Sequence, residues 1–123
     1  MIATMARSVL VVDDDPVFRG LARRMLDSGD LIVVGEAGTV ATAITIAQDL
    51  RPDAALVDIG LPDGDGVSLA RELCALPWRP SVVLTSTDPD AATAEDVRGC
   101  GATAFVPKDE LPRAQLERLL NSR

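Results

Sequence analysis

Four short aliphatic runs in this chain each stop on polar side chains, and this repeated ending constrains the fold more than any other feature. Val9-Leu10-Val11-Val12 stops at Asp13-Asp14-Asp15, and Ala54-Ala55-Leu56-Val57 stops at Asp58. Val82-Val83-Leu84 stops at Thr85-Ser86-Thr87, and Ala104-Phe105-Val106 stops, after Pro107, at Lys108. A short unbroken apolar run rich in branched residues reads as a strand buried on both faces. In an open parallel sheet, ligands bind outside the carboxyl ends of the strands, so the four endings should meet on one rim. Taken alone, Asp58 would be read as the start of a turn. The set of four outweighs that reading.

The segments between the runs carry helical periodicity. After Asp15, a candidate N-cap, and Pro16, the apolar positions Phe18, Leu21, Ala22, Met25 and Leu26 predict a first helix ending near Ser28-Gly29. Leu31 to Val34 reads as a strand and Gly35 to Gly38 as a connection. Thr39 can cap a second helix with Val40, Ala43, Ile44, Ala47 and Leu50 on one face, closed at Arg51-Pro52. Asp65 can cap a third, with Leu69, Ala70, Leu73 and Cys74 inward. Asp88-Pro89 is expected to start a fourth, whose small apolar residues Ala91, Ala92, Ala94 and Val97 should anchor it weakly. Gly99 and Gly101 end it, and Pro112 is expected to open a last helix carrying Leu116, Leu119 and Leu120.

Five strands alternating with five helices predict a single α/β domain: a doubly wound five-stranded parallel sheet of order 2-1-3-4-5, a flavodoxin-like three-layer (βα)5 sandwich. That order places strand five at an edge, where Pro107 is tolerated.

Composition removes several function classes. With no histidine among 123 residues, Ser-His catalysis, His-ligated zinc and phosphohistidine chemistry within the chain are excluded. A formal charge of −7 argues against direct nucleic-acid binding. Aromatics are only 2%, which disfavours a flavin or nucleobase stacking site. Cys74 and Cys100 have no metal-ligand spacing and read as free thiols of a reducing compartment. Without a membrane-length apolar run or a signal-peptide core, the expectation is a cytoplasmic protein with no membrane partner. Lys108 is the sole lysine beside 11 arginines, which suggests a compact point charge at that strand exit.

Strands one and three are neighbours in the expected order, so Asp13, Asp14 and Asp58 should share a crevice. Crowded carboxylates call for a proton or a divalent cation, and oxygen ligation of this kind suits Mg²⁺ or Mn²⁺. The Gly60 backbone carbonyl is a candidate further ligand. Together with the Thr85 hydroxyl and the Lys108 ammonium, such a site can neutralise phosphoryl oxygens, and an Asp carboxylate can take up the phosphoryl as nucleophile. Asp15, Asp63 and Asp65 are better explained as helix caps and turn residues.

Asp13-Asp14, Asp58 with Leu61-Pro62 and Asp65-Gly66, Thr85-Ser86 and Lys108, in this order and spacing, resemble the receiver domain of bacterial two-component response regulators over essentially the whole chain. The stretches Val34-Gly35-Glu36-Ala37 and Lys108-Asp109-Glu110-Leu111 are similar to receivers of the LuxR/NarL kind. The resemblance implies a receiver domain at 8–123 behind an N-terminal extension at 1–7, with Asp58 as phosphoacceptor from a sensor histidine kinase. It implies Mg²⁺ on Asp14, Asp58 and the Gly60 carbonyl with Asp13 supporting through water, and Thr85 and Lys108 on the phosphoryl oxygens. It also implies Phe105 as a switch aromatic working with Thr85, an output through the helix four, strand five and helix five face, and a phosphorylation-dependent homodimer. Not an enzyme in the ordinary sense, such a domain catalyses its own phosphorylation and slow dephosphorylation. No helix-turn-helix output domain lies within these 123 residues, so the expectation is a receiver fragment of a transcription regulator or a receiver that docks partners alone. Two other readings are a Mg²⁺-dependent phosphohydrolase using the same aspartyl phosphate, and a phosphorylation-independent pseudo-receiver. The lack of a substrate-binding insert argues against the first, and the full acidic, hydroxyl and lysine set against the second.

Overall fold

The computed structural model describes residues 6–27 and 30–121. Its large sheet contains β1 (Arg7–Val12), β2 (Leu31–Ala37), β3 (Ala54–Asp58), β4 (Ser81–Ser86) and β5 (Ala104–Pro107). All pairs are parallel, in the order β2-β1-β3-β4-β5. The helices are α1 (Pro16–Leu26), α2 (Val40–Leu50), α3 (Gly66–Cys74), α4 (Ala94–Cys100) and α5 (Leu116–Leu120). A two-residue antiparallel pair, Gly60–Leu61 with Gly64–Asp65, shapes the loop between β3 and α3. The predicted sheet order is the observed one. β1 starts at Arg7, whose guanidinium donates to the carbonyls of Asp53 and Leu120.

Alternation along each strand divides the core. Leu10, Val12, Ala55, Val57, Val82 and Leu84 pack with Ala43 and Ala47 of α2, Leu69 and Leu73 of α3, and Cys100 of α4. Val9, Val11, Leu56 and Val83 pack on the opposite face with Ala22 and Leu26 of α1 and Leu116 and Leu120 of α5. Each central strand is therefore apolar on both sides, as the unbroken runs require.

Several predicted bounds need correction. β2 runs on through Gly35 to Ala37: opposite the Val9–Leu10 step the register shifts by one, with Val34 as the extra residue of β2, and pairing resumes at Gly35. Leu21 and Leu50, expected inward, are 45% and 49% exposed. The α1 stripe is centred on Ala22, and Leu21 lies about 100° around the helix from it. The predicted α1 stop at Ser28-Gly29 lies outside the described residues.

Asp88-Pro89 starts a turn and not α4: the Asp88 carboxylate accepts the Asp90 N–H, and the Ala91 N–H donates to the Asp88 carbonyl. α4 begins after Thr93, where a stronger signal operates. The Thr93 hydroxyl accepts the Asp96 N–H at 3.1 Å and the Asp96 carboxylate accepts the Thr93 N–H at 2.9 Å, a reciprocal capping box. Pro112 likewise opens no helix. It lies inside a 3₁₀ turn, Lys108–Arg113, and α5 starts four residues later.

Only Cys100 of α4 is buried, so the cap supplies much of that helix's hold. Thr93→Ala should cost about 1 kcal/mol. Native-state amide exchange should report the loss as faster opening of residues 97–100, while β3 and β4 keep their protection.

Candidate functional site

The β1 exit is fixed by its backbone. The Asp13 N–H donates to the Ala37 carbonyl at 2.9 Å, and Arg19 Nη1 donates to the Asp13 carbonyl at 2.6 Å. Arg19 is itself held by Glu36, which also binds Arg23, so α1 is clamped to the end of β2. The Asp13 side chain is fully buried, and its Oδ1 accepts the Asp15 N–H at 2.9 Å. Asp14 is exposed, and Asp15 caps α1 through the Val17 N–H, as its position predicts.

Asp58 ends β3 directly opposite Thr85 of β4 and is 7% exposed. Its carboxylate and those of Asp13 and Asp14 each place an oxygen within 4.8 Å of the others. Lys108 Nζ lies 2.6 Å from Asp13 Oδ2 and 3.8 Å from Asp58 Oδ1. Asp13 Oδ2 is ion-paired at that distance but is buried without an aligned hydrogen-bond donor. Thr85 is in place, yet its hydroxyl donates to the Val106 carbonyl of β5 at 2.7 Å and so points along the sheet. Gly60 is exposed in the loop, and its N–H favours the ionised Asp58 carboxylate. Phe105 is half-buried on β5 and, with Ala92, Val97 and Arg98, lines a groove beside α4.

The structure thus brings Asp13, Asp14, Asp58 and Lys108 together, with Thr85 adjacent and Phe105 one strand away. Two contacts of the site had no signal in the sequence, and a third residue, Asp63, expected to serve a turn or cap, caps a helix distant in sequence. The Lys108 ammonium lies over the Phe18 ring, 4.1 Å from its centroid. Arg19 supports the Asp13 backbone. Asp63 accepts the Val40 and Ala41 N–H groups at 2.7 and 3.1 Å, so the loop after Asp58 caps α2. Those two bonds hold the Asp63 carboxyl below its usual range.

Burial, with the Asp13 carboxylate next to it, raises Asp58 to about 6; Lys108 pulls in the opposite direction, Asp14 raises it further and the Gly60 N–H lowers it. Folded Asp58 therefore holds its proton more tightly than the unfolded chain, whose value is near 3.8. Stability from this group is full below pH 4 and is lost as pH rises through 6, by roughly 3 kcal/mol at most. In metal-free buffer, urea unfolding should show Asp58→Asn more stable than wild type at pH 7.5, with the gap closing by pH 4. A gap independent of pH would contradict this electrostatic account.

Three carboxylates against one ammonium leave the cluster negative, and a buried Asp13 oxygen lacks an aligned donor. An all-oxygen donor set of this charge fits a hard divalent cation. Among the described residues no helix is long and apolar enough to cross a membrane.

The chain is similar to known proteins over most of its length. Residues 9–121 match the family described as the response regulator receiver domain. The chain is 40% identical over 115 residues to the DNA-binding transcriptional activator DevR/DosR of Mycobacterium tuberculosis, covering 89% of this chain and 52% of that protein. It is 37% identical over 106 residues to a protein-glutamate methylesterase/protein-glutamine glutaminase of Hahella chejuensis, covering 85% of this chain and 30% of that one. Among solved structures, the signal receiver domain of NarL from Mycobacterium tuberculosis superposes with a TM-score of 0.80 at 32% identity, covering 96% of this chain and 98% of that one. The chain spans about half or less of the length of these two full-length relatives.

Proposed function

We propose a function that proceeds from one premise: the chain belongs to the response regulator receiver domain family. Asp58 accepts a phosphoryl group from the phosphohistidine of a sensor histidine kinase. The convergence of Asp58, Asp13, Asp14 and Lys108 at the carboxyl ends of β1, β3 and β5 carries this reading.

An oxygen of the ionised Asp58 carboxylate attacks phosphorus while the P–N bond of the donor breaks, and the electron pair returns to the imidazole nitrogen, which takes a proton. With its value near 6, Asp58 is mostly ionised at neutral pH. Lys108, already paired to both Asp13 and Asp58, neutralises charge on the incoming oxygens. Asp13, Asp14, Asp58 and the Gly60 carbonyl would hold Mg²⁺, or Mn²⁺ in its place, with Asp13 acting through water. The ion's chemistry there is to neutralise phosphoryl oxygens.

The Thr85 hydroxyl turns from the Val106 carbonyl to the phosphoryl, which releases a bond between β4 and β5 beside Phe105. Phe105 then moves into the groove next to the weakly anchored α4, and the face of α4, β5 and α5 changes shape. This is a two-state equilibrium, biased by however much better the phosphoryl group fits the active arrangement. The altered face would govern a transcriptional output domain, a docking partner or a second copy of the chain.

Incubation with acetyl phosphate and MgCl₂ tests the assignment. Intact mass should rise by one phosphoryl group in wild type and not in Asp58→Asn. A phosphorylated Asp58→Asn protein would remove Asp58 from the role.

A further inference from the structure

The Lys108 ammonium has three neighbours: Asp13 at 2.6 Å, Asp58 at 3.8 Å and the face of Phe18, whose centroid is 4.1 Å away. Phe18 stands in the first turn of α1, directly after the acidic β1 exit, and is anchored against the core layer of α1 and α5. Lys108 comes from the far edge of the sheet, and its side chain is only 16% exposed. Among the described residues, the ring is the one partner of this cation that is not an anion.

We propose that Phe18 is a positioning residue for phosphoryl transfer, presenting its π face as the seat on which the Lys108 ammonium is held for the Asp58 phosphoryl group. The inference rests on Asp58 being the phosphoacceptor. A cation is attracted to the face of an aromatic ring within about 6 Å of its centroid, and the attraction strengthens where water is excluded. A ring makes no directed hydrogen bond, so the ammonium can shift its pairing from Asp13 toward Asp58 without breaking one. A carboxylate in that place would compete with the phosphoryl oxygens, and an aliphatic side chain would leave the cation to be drawn fully onto Asp13.

The ring's electron density separates this role from simple packing. Phenylalanine analogues with one, two and three fluorines at position 18 keep nearly the same shape while progressively weakening the π face. The rate of Asp58 labelling by acetyl phosphate in MgCl₂ should fall stepwise along the series, by about threefold to tenfold in total, at unchanged melting temperature. Phe18→Leu should be at least as slow as the trifluoro protein. A second readout is magnetic: the Lys108 ε-methylene protons should resonate upfield under the ring current and move back in Phe18→Leu, with the shifts of β3 and β4 retained. Equal labelling rates across the fluorinated series, or an unmoved Lys108 resonance, would overturn the proposal. If wild type itself were not labelled, the phosphoacceptor reading would fail, and with it the role of Phe18 in transfer; the methylene shift would then show only whether the ring seats the cation.

Discussion

Lys108→Met should unfold with about 3 kcal/mol less free energy than wild type at pH 7.5 in metal-free buffer. Methionine preserves the length of the side chain and removes its charge. Asp13 is fully buried and Asp58 nearly so, and the ammonium at 2.6 and 3.8 Å is the cation facing both. Removing one member of a buried ion pair leaves the other desolvated and uncompensated, which typically costs 3–5 kcal/mol, partly relieved here when a proton is taken up. The deficit should therefore shrink at pH 5, and millimolar MgCl₂ should recover part of it at pH 7.5. Labelling by acetyl phosphate should slow by about 100-fold or more, the usual consequence of deleting a preorganised charge-stabilising group. Chemical denaturation at the two pH values, with and without MgCl₂, checks the first claim, and a labelling time course checks the second. Labelling near the wild-type rate would show that the ammonium plays no part in the chemistry.

Gly66→Ala should be strongly destabilising, since among the described glycines Gly66 has the closest contacts to an added Cβ. A Cβ at Gly66 would overlap the Asp58 carbonyl oxygen and lie 2.6 Å from Ile59 Cα and 2.9 Å from the Asp58 carbonyl carbon. All three are backbone atoms at the exit of β3, so no side chain can rotate away. The Gly66 N–H also donates to the Ile59 carbonyl at 2.8 Å, which draws the two segments together. Relief requires moving either the start of α3 or the end of β3. The cost should reach about 3 kcal/mol and lower the melting temperature by about 10 °C, with labelling of Asp58 reduced as its backbone shifts. Gly60→Ala serves as the control, since no atom lies within 4 Å of a Cβ there. A Gly66→Ala protein melting within about 2 °C of wild type would refute the packing argument.

The sheet was readable because each of its runs is too short and too uniformly apolar for a helix, and because alternation with helices permits few topologies. The acidic pocket followed from that order, which sets β1 beside β3. The two shifted helix starts share one cause: each expected start rests on a proline and not on its neighbours. Pro89 and Pro112 suit a first helical turn, but they suit a β-turn and a 3₁₀ turn equally well, and the Thr93/Asp96 box decided where α4 starts. The extension of β2 through Gly35 depends on a bulge in β1–β2 pairing, which one strand's composition does not encode. The seat of Lys108 on Phe18 joins residues 90 positions apart, and the high value of Asp58 comes from burial and from Asp13, so both exist only in the assembled molecule.

The two hydrogen bonds that the Asp63 carboxylate accepts from the Val40 and Ala41 N–H groups have a mechanical consequence. A helix start is ordinarily closed by its own chain, but here one of the closing groups belongs to a turn more than 20 residues downstream. Swinging the turn outward gives up two hydrogen bonds at the start of α2, and fraying of α2 at that end gives up the same two bonds of the turn. The two segments are thus tied to each other, whereas α4 is held by a single buried residue, so a displacement at the β3 exit is expected to be resisted more on the α2 side than toward α4.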